Sequence, residues 1–106
     1  MSPIEKQVLE LKVIDALQTC YDPEIPVNIY ELGLVYAVEI SHSSEVQIKM
    51  TLTAPNCPVA ASLPLEVESK VSAIDGVKSA KVDIVWDPPW NPGKMSESAK
   101  LQLGMI

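Results

Sequence analysis

Apolar side chains recur at Leu9, Val13, Ala16, Leu17 and Cys20, the three-and-four spacing of one helix face. They follow Ser2-Pro3-Ile4-Glu5, which matches a capping box with proline at the first helical position, so the spacing predicts a helix from about residue 3 to residue 20. Asp22-Pro23-Glu24-Ile25-Pro26 cannot continue it, because proline lacks the amide donor and biases the residue before it toward extended backbone. Asn28-Ile29-Tyr30-Glu31 repeats the cap spacing over a single turn, and Gly33 then gives the freedom to enter a strand, Leu34 to Ser41. Beyond it, Val46, Ile48, Met50 and Leu52 alternate with Gln47, Lys49, Thr51 and Thr53, the period of two that marks a half-buried strand. His42-Ser43-Ser44-Glu45 is the hairpin turn between the two.

After the second strand, Pro58 is placed as the first residue of a helix that ends near Ile74, with Gly76 as its stop. Pro64 within that span predicts a kink or a later start. Val77, Ala80, Val82, Ile84 and Trp86 supply a third strand, Asp87 to Gly93 must be loop, and a last helix is capped by Ser96 and stopped by Gly104. The order α-β-β-α-β-α predicts an α+β fold, a two-layer α/β sandwich whose small mixed sheet holds an antiparallel hairpin and one right-handed crossover.

With 106 residues, 47% of them hydrophobic, the chain suits one core and hence one domain spanning 1–106. Eight basic against 14 acidic side chains give a net charge of -6, which repels phosphates and argues against nucleic acid and anionic membrane as partners. The longest apolar run, Leu32 to Val38, is far short of the roughly 20 residues a spanning helix needs. The N-terminus lacks a basic-then-apolar signal pattern, so a cytoplasmic location with reduced thiols is expected.

The topology brings the chemistry-bearing segments to one end of the sheet. In an antiparallel hairpin the start of strand one lies beside the end of strand two, so Asp22 to Glu31 should sit near Thr53 to Cys57. A parallel third strand then delivers Trp86 to Trp90 to the same rim. Cys57 immediately precedes a helix, where unpaired amides and the dipole favour a thiolate able to bind soft metal or attack an electrophile. A small apolar cap residue is the plainer reading, but the flanking prolines and loop setting favour function. Asn56 beside it, the hydroxyls of Thr51 and Thr53, and the carboxylates of Asp22 and Glu24 are supporting candidates, although acids beside prolines also make ordinary turns and threonines suit strands. Trp86 and Trp90 form a stiff aromatic segment that either binds a partner or, more commonly, pins the C-terminal helix. Cys20 lies on the apolar stripe of the first helix and needs only a packing role, as do Met50, Met95 and Met105. His42, at the opposite tip of the hairpin, is about 25 Å from Cys57 at roughly 3.3 Å per strand residue, too far for a dyad within one chain.

Asp22-Pro23-Glu24, Leu32-Gly33-Leu34-Val35-Tyr36, Thr51 through Pro58, and Asp87-Pro88-Pro89-Trp90 with Met95-Ser96 together resemble the SufT/PaaD-like family of metal-sulfur cluster assembly proteins. The resemblance runs from the first helix to Gly104. It implies a two-layer domain with a mixed sheet and a part in maturing iron-sulfur proteins. By matching position, the family's reactive cysteine corresponds to Cys57, its acidic loop to Asp22 and Glu24, and its strand-end hydroxyls to Thr51 and Thr53. Some relatives are fused to a P-loop ATPase, but no phosphate-cradling Gly-rich segment occurs here. PaaD-type relatives carry a cysteine-rich extension that is absent after Ile106, which favours a general assembly role.

The expectation is therefore a non-enzymatic accessory factor that carries or delivers a transient iron-sulfur cluster through Cys57 as metal ligand. Its partners would be iron-sulfur assembly proteins and client apoproteins. One convincing thiolate per chain is too few for a cluster, so a homodimer pairing two copies of Cys57, or thiols from outside, would have to complete it. The alternatives are a metal-free adaptor that recruits apoproteins through the Trp90 rim and the acidic surface, and, last, a thiol enzyme with Cys57 as nucleophile and Asp22 or Glu24 as acid-base group.

Overall fold

The computed structural model describes residues 2–21, 27–52 and 62–104. Its elements run α1 (Pro3–Leu17), β1 (Val35–Ile40), β2 (Glu45–Met50), α2 (Ser62–Ser72), β3 (Ser79–Ile84), a 3-10 turn at Pro92–Lys94 and α3 (Glu97–Gln102). The sheet has the order β1-β2-β3, with β1 antiparallel and β3 parallel to the central strand. This is the α+β order, hairpin and mixed sheet that the residue pattern predicts.

The cap at the start of α1 forms as expected: the Ser2 hydroxyl accepts from the Glu5 amide at 3.1 Å. The helix stops at Leu17 and not at Cys20 because its last amides tighten. Thr19 donates to Ala16 and Cys20 to Leu17, at 3.0 and 3.1 Å, so the chain leaves through three-residue turns. Pro64 is the third residue of α2 as described from Ser62.

Alternation along β2 sets the layers. Val46, Ile48 and Met50 are buried while Glu45 and Lys49 are exposed. Register places Ile48 between Val38 and Val82, and Val46 between Ile40 and Ala80. Leu9, Val13 and Leu17 of α1 and Leu63, Val67 and Val71 of α2 close over that face in one core. Each such side chain contributes roughly 1.5–3 kcal/mol by leaving water, which is why register cannot slip without exposing the whole row. The opposite face carries Glu39, Gln47, Lys49, Lys81 and Asp83, with the Gln47 amide donating to the Asp83 carboxylate.

Two departures matter for the rim. The third strand ends at Ile84 and leaves Trp86 outside it, because Val85, which donates to Met50 at 2.9 Å, meets the last residue of β2. The β1–β2 register also shifts between Val35 and Ala37, so Tyr36 occupies a bulge and opposes no residue of β2.

Candidate functional site

A relay of backbone hydrogen bonds ties together described residues within or next to the predicted rim segments, of which residues 22–26 and 53–57 lie outside the described part. Ile29 donates to Cys20 at 2.8 Å, Leu34 to Ile29 at 3.1 Å and Thr51 to Leu34 at 2.8 Å. Met50, next to Thr51, accepts from Val85 at 2.9 Å. Thus the ends of the acidic segment, the end of β2 and the end of β3 share one edge, as the hairpin and crossover argument requires. Tyr21 and Asn28 pair as an isolated antiparallel bridge. Asn28 caps the turn that follows, its side-chain oxygen accepting from the Glu31 amide at 2.9 Å.

Gly33 ends that turn at φ +79°, a left-handed conformation that L side chains rarely adopt. A Cβ there would lie 2.2 Å from the Lys94 carbonyl oxygen, so the glycine also allows the C-terminal segment to pack against the turn.

That segment is fastened at four points. The Trp90 indole donates to the Leu32 carbonyl at 2.7 Å, and the Tyr36 hydroxyl donates to the Pro88 carbonyl at 2.7 Å. The Lys94 ammonium sits 4.6 Å from the centre of the Tyr36 ring. The Ser96 hydroxyl donates to the Glu31 carboxylate, and the Ser96 amide to the Glu31 carbonyl at 2.9 Å. Trp90 is therefore a pin, half-buried against the core, whereas Trp86 is 46% exposed. Tyr21 and Tyr30 are also exposed on rim segments, and neither stood out in the residue pattern. Tyr36 lies inside the Leu32 to Tyr36 motif, but only the bulge shows why a tyrosine stands there.

Of the predicted site residues, Thr51, Trp86 and Trp90 lie in the described part; Asp22, Glu24, Thr53, Asn56 and Cys57 lie outside the described residues. Thr51 is fully buried, and its hydroxyl oxygen has no hydrogen-bond partner among the described residues. By alternation its side chain stands on the face opposite Met50, where strand residues are ordinarily wet. A buried hydroxyl without a partner costs about 1–3 kcal/mol, a cost native folds keep mainly where the group has other work.

The other thiol is unsuited to that work. Cys20 is fully buried in the core, and its sulfur lies 3.7 Å from the Ala16 carbonyl as a weak donor. Burial pushes its thiol pKa up; the Lys70 ammonium opposes the rise and the Glu66 carboxylate adds to it. A protonated, enclosed thiol is a packing group and a poor metal ligand.

Residues 10–84 match the iron-sulfur cluster assembly protein family. The chain belongs to that family. Within it, the chain is 47% identical over 97 residues to the Fe-S protein maturation auxiliary factor of Porphyromonas gingivalis, covering 92% of each. It is 40% identical over 100 residues to the Fe-S protein maturation auxiliary factor YitW of Bacillus subtilis, covering 94% of this chain and 98% of that one. A longer relative, the iron-sulfur cluster carrier protein of Deinococcus radiodurans, is 31% identical over 71 residues, 67% of this chain and 20% of its own. A crystal structure from Bacillus anthracis, described as domain of unknown function DUF59, superposes with a TM-score of 0.89 at 34% identity over 99% of this chain and 100% of that one.

The span matched to the iron-sulfur cluster assembly family closes at Ile84, the last residue of β3. The fastenings of Trp90, Tyr36 and Ser96 lie beyond or reach beyond it and brace the rim from the C-terminal side. Among the described residues no helix is long and apolar enough to cross a membrane.

Proposed function

We propose that this chain is an accessory factor in iron-sulfur cluster assembly that carries or delivers a cluster to target apoproteins through Cys57. The observation that carries the reading is the orphaned, fully buried hydroxyl of Thr51, two residues before the segment 53–61 that contains Cys57. A polar group kept dry at the root of that segment would be free to donate a hydrogen bond to what the segment holds. The cluster is cargo in this account. Its iron asks for about four thiolate ligands, and with Cys20 enclosed in the core the chain offers Cys57 alone. The remaining ligands come from a second copy or from the partner. Coordination completed by a partner suits delivery, since the client's own cysteines can take over the iron.

Asp22 and Glu24 would act from the neighbouring segment, whose two ends are fixed by the Tyr21–Asn28 bridge. Their role would be to orient ligands or to keep anionic competitors away. The names of the maturation factors and of the carrier among the relatives support assembly over turnover chemistry. A metal-free adaptor is the second reading, and the exposure of Tyr21, Tyr30 and Trp86 on rim segments favours it, since aromatic side chains are enriched where proteins meet.

Transfer distinguishes the two. Protein loaded anaerobically with iron and sulfide should convert an apo-ferredoxin to its holo form, and Cys57→Ser should not. A Cys57→Ser protein that still binds apoprotein and still promotes its maturation by a separate scaffold would move the assignment to the adaptor.

A further inference from the structure

The core face of α1 is Leu9, Val13 and Leu17, yet the helix carries a second apolar stripe. Ile4, Val8 and Leu11 are 73%, 47% and 63% exposed. At 3.6 residues per turn they share one stripe on the side of the helix roughly opposite the core. Shallow grooves run along both flanks. One, of about 280 Å³, is lined by Ile4, Val8, Leu9, Lys12, Asp75 and Gly76; the other, of about 310 Å³, by Gln7, Glu10, Leu11 and Ile14. A ridge between two grooves can accept the ridge of a like surface.

The charges beside the ridge say which surface. Glu5 and Lys12 both stand on the same flank of the stripe, both are exposed, and neither forms an ion pair with another described residue. Counting from Val8, Ile4 lies four residues back and Leu11 three forward, while Glu5 lies three back and Lys12 four forward. A two-fold axis through Val8 would therefore set Val8 against its copy, Ile4 against the other chain's Leu11, and Glu5 against the other chain's Lys12, each within one residue rise of about 1.5 Å. In antiparallel helices the same flank of each chain faces the other, so the Glu5–Lys12 pairing occurs twice.

We propose that α1 is a self-association surface, on which a second copy of this chain docks antiparallel about Val8. A helix of 15 residues is about 22 Å long and covers well under the roughly 800 Å² per partner of a stable complex. The dimer is accordingly weak, with a dissociation constant on the order of 100 µM. It is independent of cluster ligation, because the ridge lies on α1 and needs neither Cys57 nor metal.

Sedimentation equilibrium of the reduced, metal-free 106-residue chain from about 10 µM to about 1 mM at low salt tests this. The expected result is a monomer–dimer equilibrium that Cys57→Ser leaves unchanged and Val8→Glu abolishes, with circular dichroism confirming that the variants fold. Glu5→Lys and Lys12→Glu should each weaken association about tenfold, since each replaces two attractions with two repulsions. The double variant Glu5→Lys/Lys12→Glu should restore it. A protein that stays monomeric to about 1 mM, a dimer indifferent to Val8→Glu, or a double variant no better than the single ones would overturn the proposal.

Discussion

Thr51→Val replaces the Oγ1 hydroxyl with a methyl group of similar size at a fully buried position where the hydroxyl has no partner among the described residues. In most buried sites this exchange loses a hydrogen bond and costs stability. Here nothing is lost, because the only group removed is one that has given up water without replacement. The Thr51 amide keeps its bond to the Leu34 carbonyl, so the frame of the rim stays intact. Recovery of the desolvation cost should stabilise the fold by about 1–2 kcal/mol. For a domain of this size each kcal/mol raises the melting temperature by roughly 4–8 °C. Thermal unfolding followed by circular dichroism would read the shift, and cluster transfer measured on the same preparations should fall, the pattern expected of a polar group retained for function. A melting temperature that drops on substitution would refute the reasoning, since it would mean that the hydroxyl has a partner in solution. A more stable variant with undiminished transfer would leave Thr51 without a part in the site.

Three further outcomes follow from the packing around the rim. Gly33→Ala should destabilise by more than about 2 kcal/mol in urea unfolding, because it combines a left-handed backbone with a Cβ only 2.2 Å from the Lys94 oxygen. Trp90→Phe keeps most of the apolar area but leaves the buried Leu32 carbonyl without its 2.7 Å indole donor, at a cost of about 1 kcal/mol. Cys20 holds its proton more tightly folded than unfolded, so its contribution to stability is fully present below its ordinary value of 9.0 and is lost as pH rises through the elevated folded value. The alkaline fall in stability should accordingly be shallower in Cys20→Ala than in the wild type, as measured by unfolding midpoints between about pH 8 and pH 11.

The parts of the fold that depend on local pattern were legible from the residues. Alternation at Val46, Ile48 and Met50 fixed the buried face of the central strand, and the two cap motifs at Ser2 and Asn28 both form their bonds. The convergence of three segments on one rim followed from hairpin geometry and a parallel third strand, and the relay through Ile29, Leu34, Thr51 and Val85 shows it. What pattern could not supply was contact between distant segments. The approach of Lys94 to Gly33 spans 61 positions, and Gly33 by itself looks like any glycine that ends a turn. Tyr36 has the alternation of a core residue, but the bulge turns it toward Pro88 and Lys94. The first helix departs from its pattern in two ways for the same reason. The stripe at Leu9, Val13 and Leu17 carries the periodicity on one side, and neither the tightened end at Thr19 and Cys20 nor the second stripe at Ile4, Val8 and Leu11 is marked by it. Of the candidate site, the burial of Cys20 agrees with the packing role that its place on the helix stripe implies, whereas the burial of Thr51 was not legible, since alternation puts it on the face opposite Met50.

The central claim is that a cluster is held through Cys57 and completed by ligands from outside the chain. Anaerobic reconstitution with iron and sulfide, with visible absorption, bound iron and solution mass recorded for wild type and Cys57→Ser together, tests it most directly. The account predicts a coloured, stoichiometric cluster on wild type, shared between two chains or with an added small thiol, and its loss in Cys57→Ser while the fold is unchanged. No specific cluster on wild type under any thiol supply, or an equal cluster on Cys57→Ser, would contradict it.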